Sequence, residues 1–249
     1  RFSEHPGQEG LVRQLFADVY SGLDMHRESA AEYERALPLL DETFGSTHDR
    51  ALRGRISLAY SLLELGQAED AQKLVQSILP DLKEHLGEWD YRTFDARRLV
   101  AAADRHLGRF DEAEEATRDL YAEVVDKIGA DTEIGILTLD SLVRVLLNQY
   151  RHGRDLGHDD EARRLEVEGL LAELVERRTV FSGASNPSTL YCRILQISYL
   201  EASRKHEEAA RNAREVIDLG MERLGEDHRV MVQAMTNLGL SLIHISEPT

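Results

Sequence analysis

The chain has 249 residues, with 46 acidic side chains against 30 basic ones, a net charge of −16 and an isoelectric point near 5.1. So much acid excludes a basic face for nucleic acid or an anionic membrane. No run approaches the roughly 18 apolar residues of a membrane span, the start lacks a basic-then-apolar leader pattern, and the lone Cys192 has no partner for an internal disulfide, so a cytoplasmic, mostly helical protein is expected.

The chain opens at Arg1 inside amphipathic helical sequence, without a methionine, and a native start upstream is expected. From there a pattern repeats. Small residues ahead of helix-start chemistry stand at Ser29, Ala71, Ala113, Ala162 and Ala209. Glycines follow at Gly45, Gly87, Gly129, Gly183 and Gly225, at intervals of 42, 42, 54 and 42. The long interval assigns insertions of seven and five residues to the fourth unit, about two turns and one and a half turns of helix. Units are expected over about 8–45, 46–87, 88–129, 130–183 and 184–225, with a partial unit over 226–239.

Within a unit, apolar residues recur at helical spacing on both sides of a turn: Ala51-Leu52, Ile56, Leu58-Ala59 and Leu62-Leu63 before Gly66, and Ala71, Leu74-Val75, Ile78-Leu79 and Leu82 after it. Gly66 and Gly108 suit a left-handed helix end, and Glu69-Asp70 and Asp111-Glu112 put negative charge at the next helix start. Asp24 and Arg204 take the glycine's place in the first and fifth turns and are expected to be left-handed too. Each unit is therefore a helical hairpin, and hairpins of this size must stack to bury their apolar stripes. Pro38 and Pro80, 42 residues apart inside second helices, are expected to kink or end those helices early, because each removes a backbone hydrogen bond and crowds the carbonyl of Glu34 or Gln76.

Leu65-Gly66-Gln-Ala-Glu-Asp-Ala71 and Leu107-Gly108-Arg-Phe-Asp-Glu-Ala113 resemble the turn of a tetratricopeptide repeat. The 42-residue period, with Phe44-Gly-Ser-Thr-His48-Asp-Arg-Ala-Leu52, Gly183-Ala-Ser-Asn-Pro187-Ser-Thr-Leu190 and Leu224-Gly-Glu-Asp-His228-Arg, is similar to the kinesin-light-chain subtype and its connectors. The resemblance implies an all-α, right-handed superhelical solenoid of stacked antiparallel helical hairpins. It also implies a non-enzymatic scaffold that binds a peptide or partner protein on a concave wall of first helices.

Counting back from the turn residues as the resemblance directs, the groove positions are Arg53, Ile56 and Tyr60 in the second unit and Arg98, Ala102 and Arg105 in the third. Arg144 and Arg151, with Arg154, are their counterparts in the fourth, and Tyr191 and Ser198 in the fifth. Arginines gather on first helices while acids crowd the turns and second helices, which points to a partner carrying carboxylates that Arg can hold bidentately. The same arginines can instead pair with acids of the neighbouring hairpin. Of the asparagines that kinesin-light-chain arrays place nine residues before the turn, only Asn237 is kept.

Catalytic and metal signals are weak. Gly183-Ala-Ser185-Asn-Pro187 lacks the closing glycine of a nucleophile elbow, and His152, His158, Asp159 and Asp160 match no metal-binding spacing. His48 and His228 read as packing and hydrogen-bonding groups of the connectors. No enzyme activity, cofactor or metal is expected. The first unit, Leu15-Phe-Ala-Asp-Val-Tyr20 through Tyr33-Glu-Arg-Ala-Leu37, is also similar to arrays behind bacterial serine/threonine kinases or nucleotide-binding switches, the alternative being a regulatory tail of such a protein. Residues 240–249, ending Leu-Ile-His-Ile-Ser-Glu-Pro-Thr249, resemble a translated sequencing-library adapter and are expected to be foreign to the fold.

Overall fold

A computed structural model describes residues 6–158 and 160–246; Asp159, and Glu247 to Thr249 of the tail, lie outside the described residues. The described residues form α1 (Pro6–Gly22), α2 (His26–Phe44), α3 (Asp49–Glu64), α4 (Ala68–Leu86), α5 (Tyr91–His106) and α6 (Phe110–Lys127). They continue with α7 (Glu133–Asp155), α8 (Glu161–Ser182), α9 (Pro187–Ala202), α10 (His206–Leu224) and α11 (Arg229–Ser246), and no strand occurs among them. None of these helices is long and apolar enough to cross a membrane.

One turn design recurs. In each of five hairpins a residue with positive φ ends the first helix: Asp24, Gly66, Gly108, Gly157 and Arg204. The next residue then bonds back five positions, Met25 N to Tyr20 O, Gln67 N to Leu62 O, Arg109 N to Asp104 O and Lys205 N to Leu200 O at 2.9 Å, and His158 N to Gly153 O at 2.8 Å. This closure satisfies helix-end carbonyls and turns the chain back sharply. The connectors between hairpins are equally uniform. His48 caps α3 by accepting from Arg50 N at 3.2 Å, Asp90 caps α5 at 2.9 Å, Thr132 caps α7 at 3.1 Å and Asn186 caps α9 at 2.9 Å. His228 accepts from Val230 N at 3.2 Å. The two connector histidines are thus stand-ins for the usual short polar caps, free to differ because a ring nitrogen accepts as an oxygen does.

The chain divides between Leu120 and Tyr121 into two compact units. In the first, Tyr33, Leu40, Leu52 and Leu82 are fully buried. The small marker Ser29 lets α2 approach its neighbours closely, giving its hydroxyl to the Ala17 carbonyl at 3.0 Å and meeting the Ser61 hydroxyl at 3.1 Å. In the second unit, Leu139, Leu146, Leu171, Leu174, Leu190 and Tyr199 form the centre. Burial of such side chains contributes roughly 1.5–3 kcal/mol each.

Three expectations need correction. Residues 240–246 are not outside the fold: α11 continues through them to Ser246, with Ser241 buried and bonded to Glu201. Neither proline ends its helix: α2 runs on to Phe44 and α4 to Leu86. Pro38 and Pro80 sit on the solvent side, as do Glu34 and Gln76, so water can satisfy the carbonyl that each proline leaves without a donor. In the fourth hairpin the small-residue marker Ala162 is exposed, and Val167, sixteen residues before Gly183, is the buried one. The reason is geometric. With 23 and 22 residues, α7 and α8 outreach the 16 of α9, and the overhang past Tyr150 has nothing to pack on.

At the base of that overhang a polar network ties three helices together. The Tyr199 hydroxyl donates to Glu168 at 2.7 Å, Lys205 reaches the same carboxylate at 3.1 Å, and the Tyr150 hydroxyl meets that of Ser203 at 3.3 Å. The Tyr199 bond, followed by the Lys205 bond and charge, holds the Glu168 carboxyl below its ordinary 4.5 despite partial burial. Burial pushes the Tyr199 phenol up to about 12, so it stays a donor.

A Cβ at Gly135 would lie 2.5 Å from the Gly129 carbonyl oxygen and 2.6 Å from that of Ala130, whereas one at Gly153 in the overhang meets nothing. Gly135→Ala is therefore expected to lower stability by about 1–3 kcal/mol, and Gly153→Ala to raise it by about 0.5–1 kcal/mol, as read from urea midpoints. For Glu168 the folded pKa is depressed, so its contribution is present above about 4.5 and fades as the pH falls through the folded value. Glu168→Gln should lower the urea midpoint near pH 7, and by progressively less as the pH is lowered below 4.5.

Candidate functional site

In the first unit the expected groove residues are mostly engaged with the protein itself. Arg53 on α3 pairs with Asp18 of the preceding hairpin at 3.0 Å, and Asp18 also accepts the Tyr33 hydroxyl. Ile56 is buried in the core and offers a ligand no surface. Tyr60 remains partly open, its ring edge-on to His26 at 5.8 Å. On α5, Arg98 is held by Asp95 one turn back at 2.6 Å. Arg105 meets the imidazole of His106 at 2.9 Å, a ring held below its ordinary 6.5 by burial and then by the Arg105 charge. Ala102 is half-buried against the core. Local pairing thus accounts for arginines that the sequence offers as ligand forks.

The second unit is different. Arg144 on α7 is paired with Asp140 at 2.7 Å, and Tyr191 on α9 lies under the Arg229 guanidinium at 5.8 Å. Arg151 and Ser198, however, come together on one cleft of about 860 Å³, with Arg154, Arg204, His206 and Asn237 also on its walls. Its construction follows from the insertion. A helix the length of α9 would stop before Arg151, so the two extra turns of α7 supply Arg151 and Arg154 as one wall. The α9–α10 turn brings Arg204 and His206, and α11 brings Asn237 opposite.

Part of the charge of this cleft has no acidic partner. Its acids are Asp155 and Glu201, and Glu201 is engaged by His206 Nδ1 at 2.9 Å and by the Ser241 hydroxyl. Among the described residues neither Arg151 nor Arg204 has an acidic partner. The Asn237 amide nitrogen is buried without a hydrogen-bond partner, a donor whose desolvation is uncompensated. Forked guanidiniums beside an unused amide donor suit an oxyanion, above all a carboxylate. Arg204 and His206 were not among the expected site residues. Their signal was the arginine standing in a glycine position, and its meaning depended on where the turn lands.

No family model matches the chain, and no curated protein does. Solved structures do. The nearly identical TPR-like repeats of a kinesin-light-chain-like protein from Podosopora anserina align at a TM-score of 0.59 and 17% identity, covering 88% of this chain and 97% of that one. BtubC from P. vanneervenii aligns at 0.65 and 15%, covering 89% and 84%. A Rap protein complexed with competence and sporulation factor aligns at 0.53 and 14%, covering 96% and 65%. These likenesses are of fold: the chain is a helical-hairpin array built as tetratricopeptide-like repeats of the kinesin-light-chain kind are built.

Proposed function

We propose that this chain is a non-enzymatic protein-interaction module, and that the cleft of its C-terminal unit receives a carboxylate-bearing segment of a partner protein. One observation carries the reading: in a chain of net charge −16, Arg151 and Arg204 meet on one cleft and among the described residues neither is paired with an acid. A basic recess raises the local concentration of anionic ligands. The Rap protein of similar fold, seen complexed with competence and sporulation factor, supports the view that such an array can hold a partner. Arg53, Arg98 and Arg144, already paired, contribute to the surface charge pattern rather than to the grip.

The test is fluorescence anisotropy with a labelled hexaglutamate peptide, with hexalysine as the control. The glutamate peptide is expected to bind, more weakly as salt rises, and hexalysine is not. Arg151→Glu should weaken binding at least tenfold, about 1.4 kcal/mol, while Arg53→Gln leaves it unchanged. Equal binding by the Arg151 variant would sink the reading.

A further inference from the structure

The turn between α9 and α10 is built on a residue that its backbone disfavours. Arg204 has φ 58, where Gly66, Gly108 and Gly157 serve at φ 77, 75 and 82. In this left-handed region a Cβ crowds the following carbonyl, and among side chains the short polar ones bear it best. Asp24, the other exception at φ 58, is of that tolerant kind. Arginine is not.

Nothing in the fold compensates. The turn closes with the same bond as the others, Lys205 N to Leu200 O at 2.9 Å, and a glycine would make it equally well. The Arg204 side chain is exposed, so it fills no core space, and among the described residues it has no acidic partner. What it does is line the cleft, with Arg151 on the overhang of α7 and the unpartnered Asn237 amide on α11. Strain kept at a place where it gains no packing marks a functional position.

We infer that Arg204 is a ligand-binding residue, held in a strained turn so that its guanidinium meets a carboxylate of the bound segment from the side opposite Arg151. The inference rests on the cleft reading above and adds a specificity element to it. Two guanidiniums on different elements demand a ligand with acidic groups on both sides, so a segment with adjacent acidic residues is preferred to one with a single acid.

Arg204→Gly and Arg204→Asn, both compatible with a left-handed turn, provide the test, with Arg214→Gln on the exposed side of α10 as a control for net charge. Both Arg204 variants are expected to raise the thermal midpoint by about 2 °C and to weaken hexaglutamate binding roughly tenfold, with the control binding as the parent does. They should also reduce the preference for hexaglutamate over a peptide with one glutamate among alanines. If the Arg204 variants bind like the parent while Arg151→Glu does not, the cleft stands and the role of Arg204 is overturned. A lower midpoint in both variants would make Arg204 a structural residue and overturn it as well. If the parent binds no acidic peptide, both readings fall.

Discussion

A hairpin of two helices has apolar residues on two faces and can close only one of them by itself. Every regular feature here answers that constraint. The five hairpin turns share one left-handed residue and one five-residue back-bond because each must return the second helix at the same angle for the next hairpin to fit. The connectors share one capping role, carried by His48, Asp90, Thr132, Asn186 and His228, because the next helix must start in register. Small residues such as Ser29, Ala71, Ala113 and Ala209 lie at the closest approaches, buried in each case.

Where that register is broken, the molecule gains a surface. The extra turns of α7 and α8 have no neighbour of equal length, so their tips cannot be buried and are free to carry polar side chains. The glutamate–tyrosine–lysine network at their base, Glu168 with Tyr199 and Lys205, anchors the overhang to the shorter hairpin. Arg151 and Arg154 then project beside the α9–α10 turn instead of over empty solvent.

Electrostatics in a strongly acidic chain are decided by pairing more than by count. Arginines within one helical turn of an acid, such as Arg98 with Asp95 or Arg144 with Asp140, are neutralised by their own helix, an arrangement that stabilises an exposed helix by only about 0.2–0.5 kcal/mol. Arg151 and Arg204 also have an acid one turn away, Asp155 and Glu201, but among the described residues form no ion pair with it. A site in such a protein is therefore found where the pairing fails, which a tally of arginines on first helices does not reveal.

The class of fold, the helical hairpins with their turns, and the longer fourth unit were legible from the residues alone, because glycine, small residues and apolar spacing act locally and recur with a fixed period. The sequence even marked Arg204 and Asp24 as residues obliged to be left-handed. It set the small-residue marker of the fourth hairpin at Ala162, which is exposed while Val167 is buried, put the buried Ile56 on a binding wall, and allowed Pro38 and Pro80 to kink or end helices that in fact run on to Phe44 and Leu86. In each case the outcome turned on which side of a helix meets a neighbour and which meets water. That is a property of packing, and so was the question of which arginines were already answered by an acid from another turn or hairpin and which were left to hold something else.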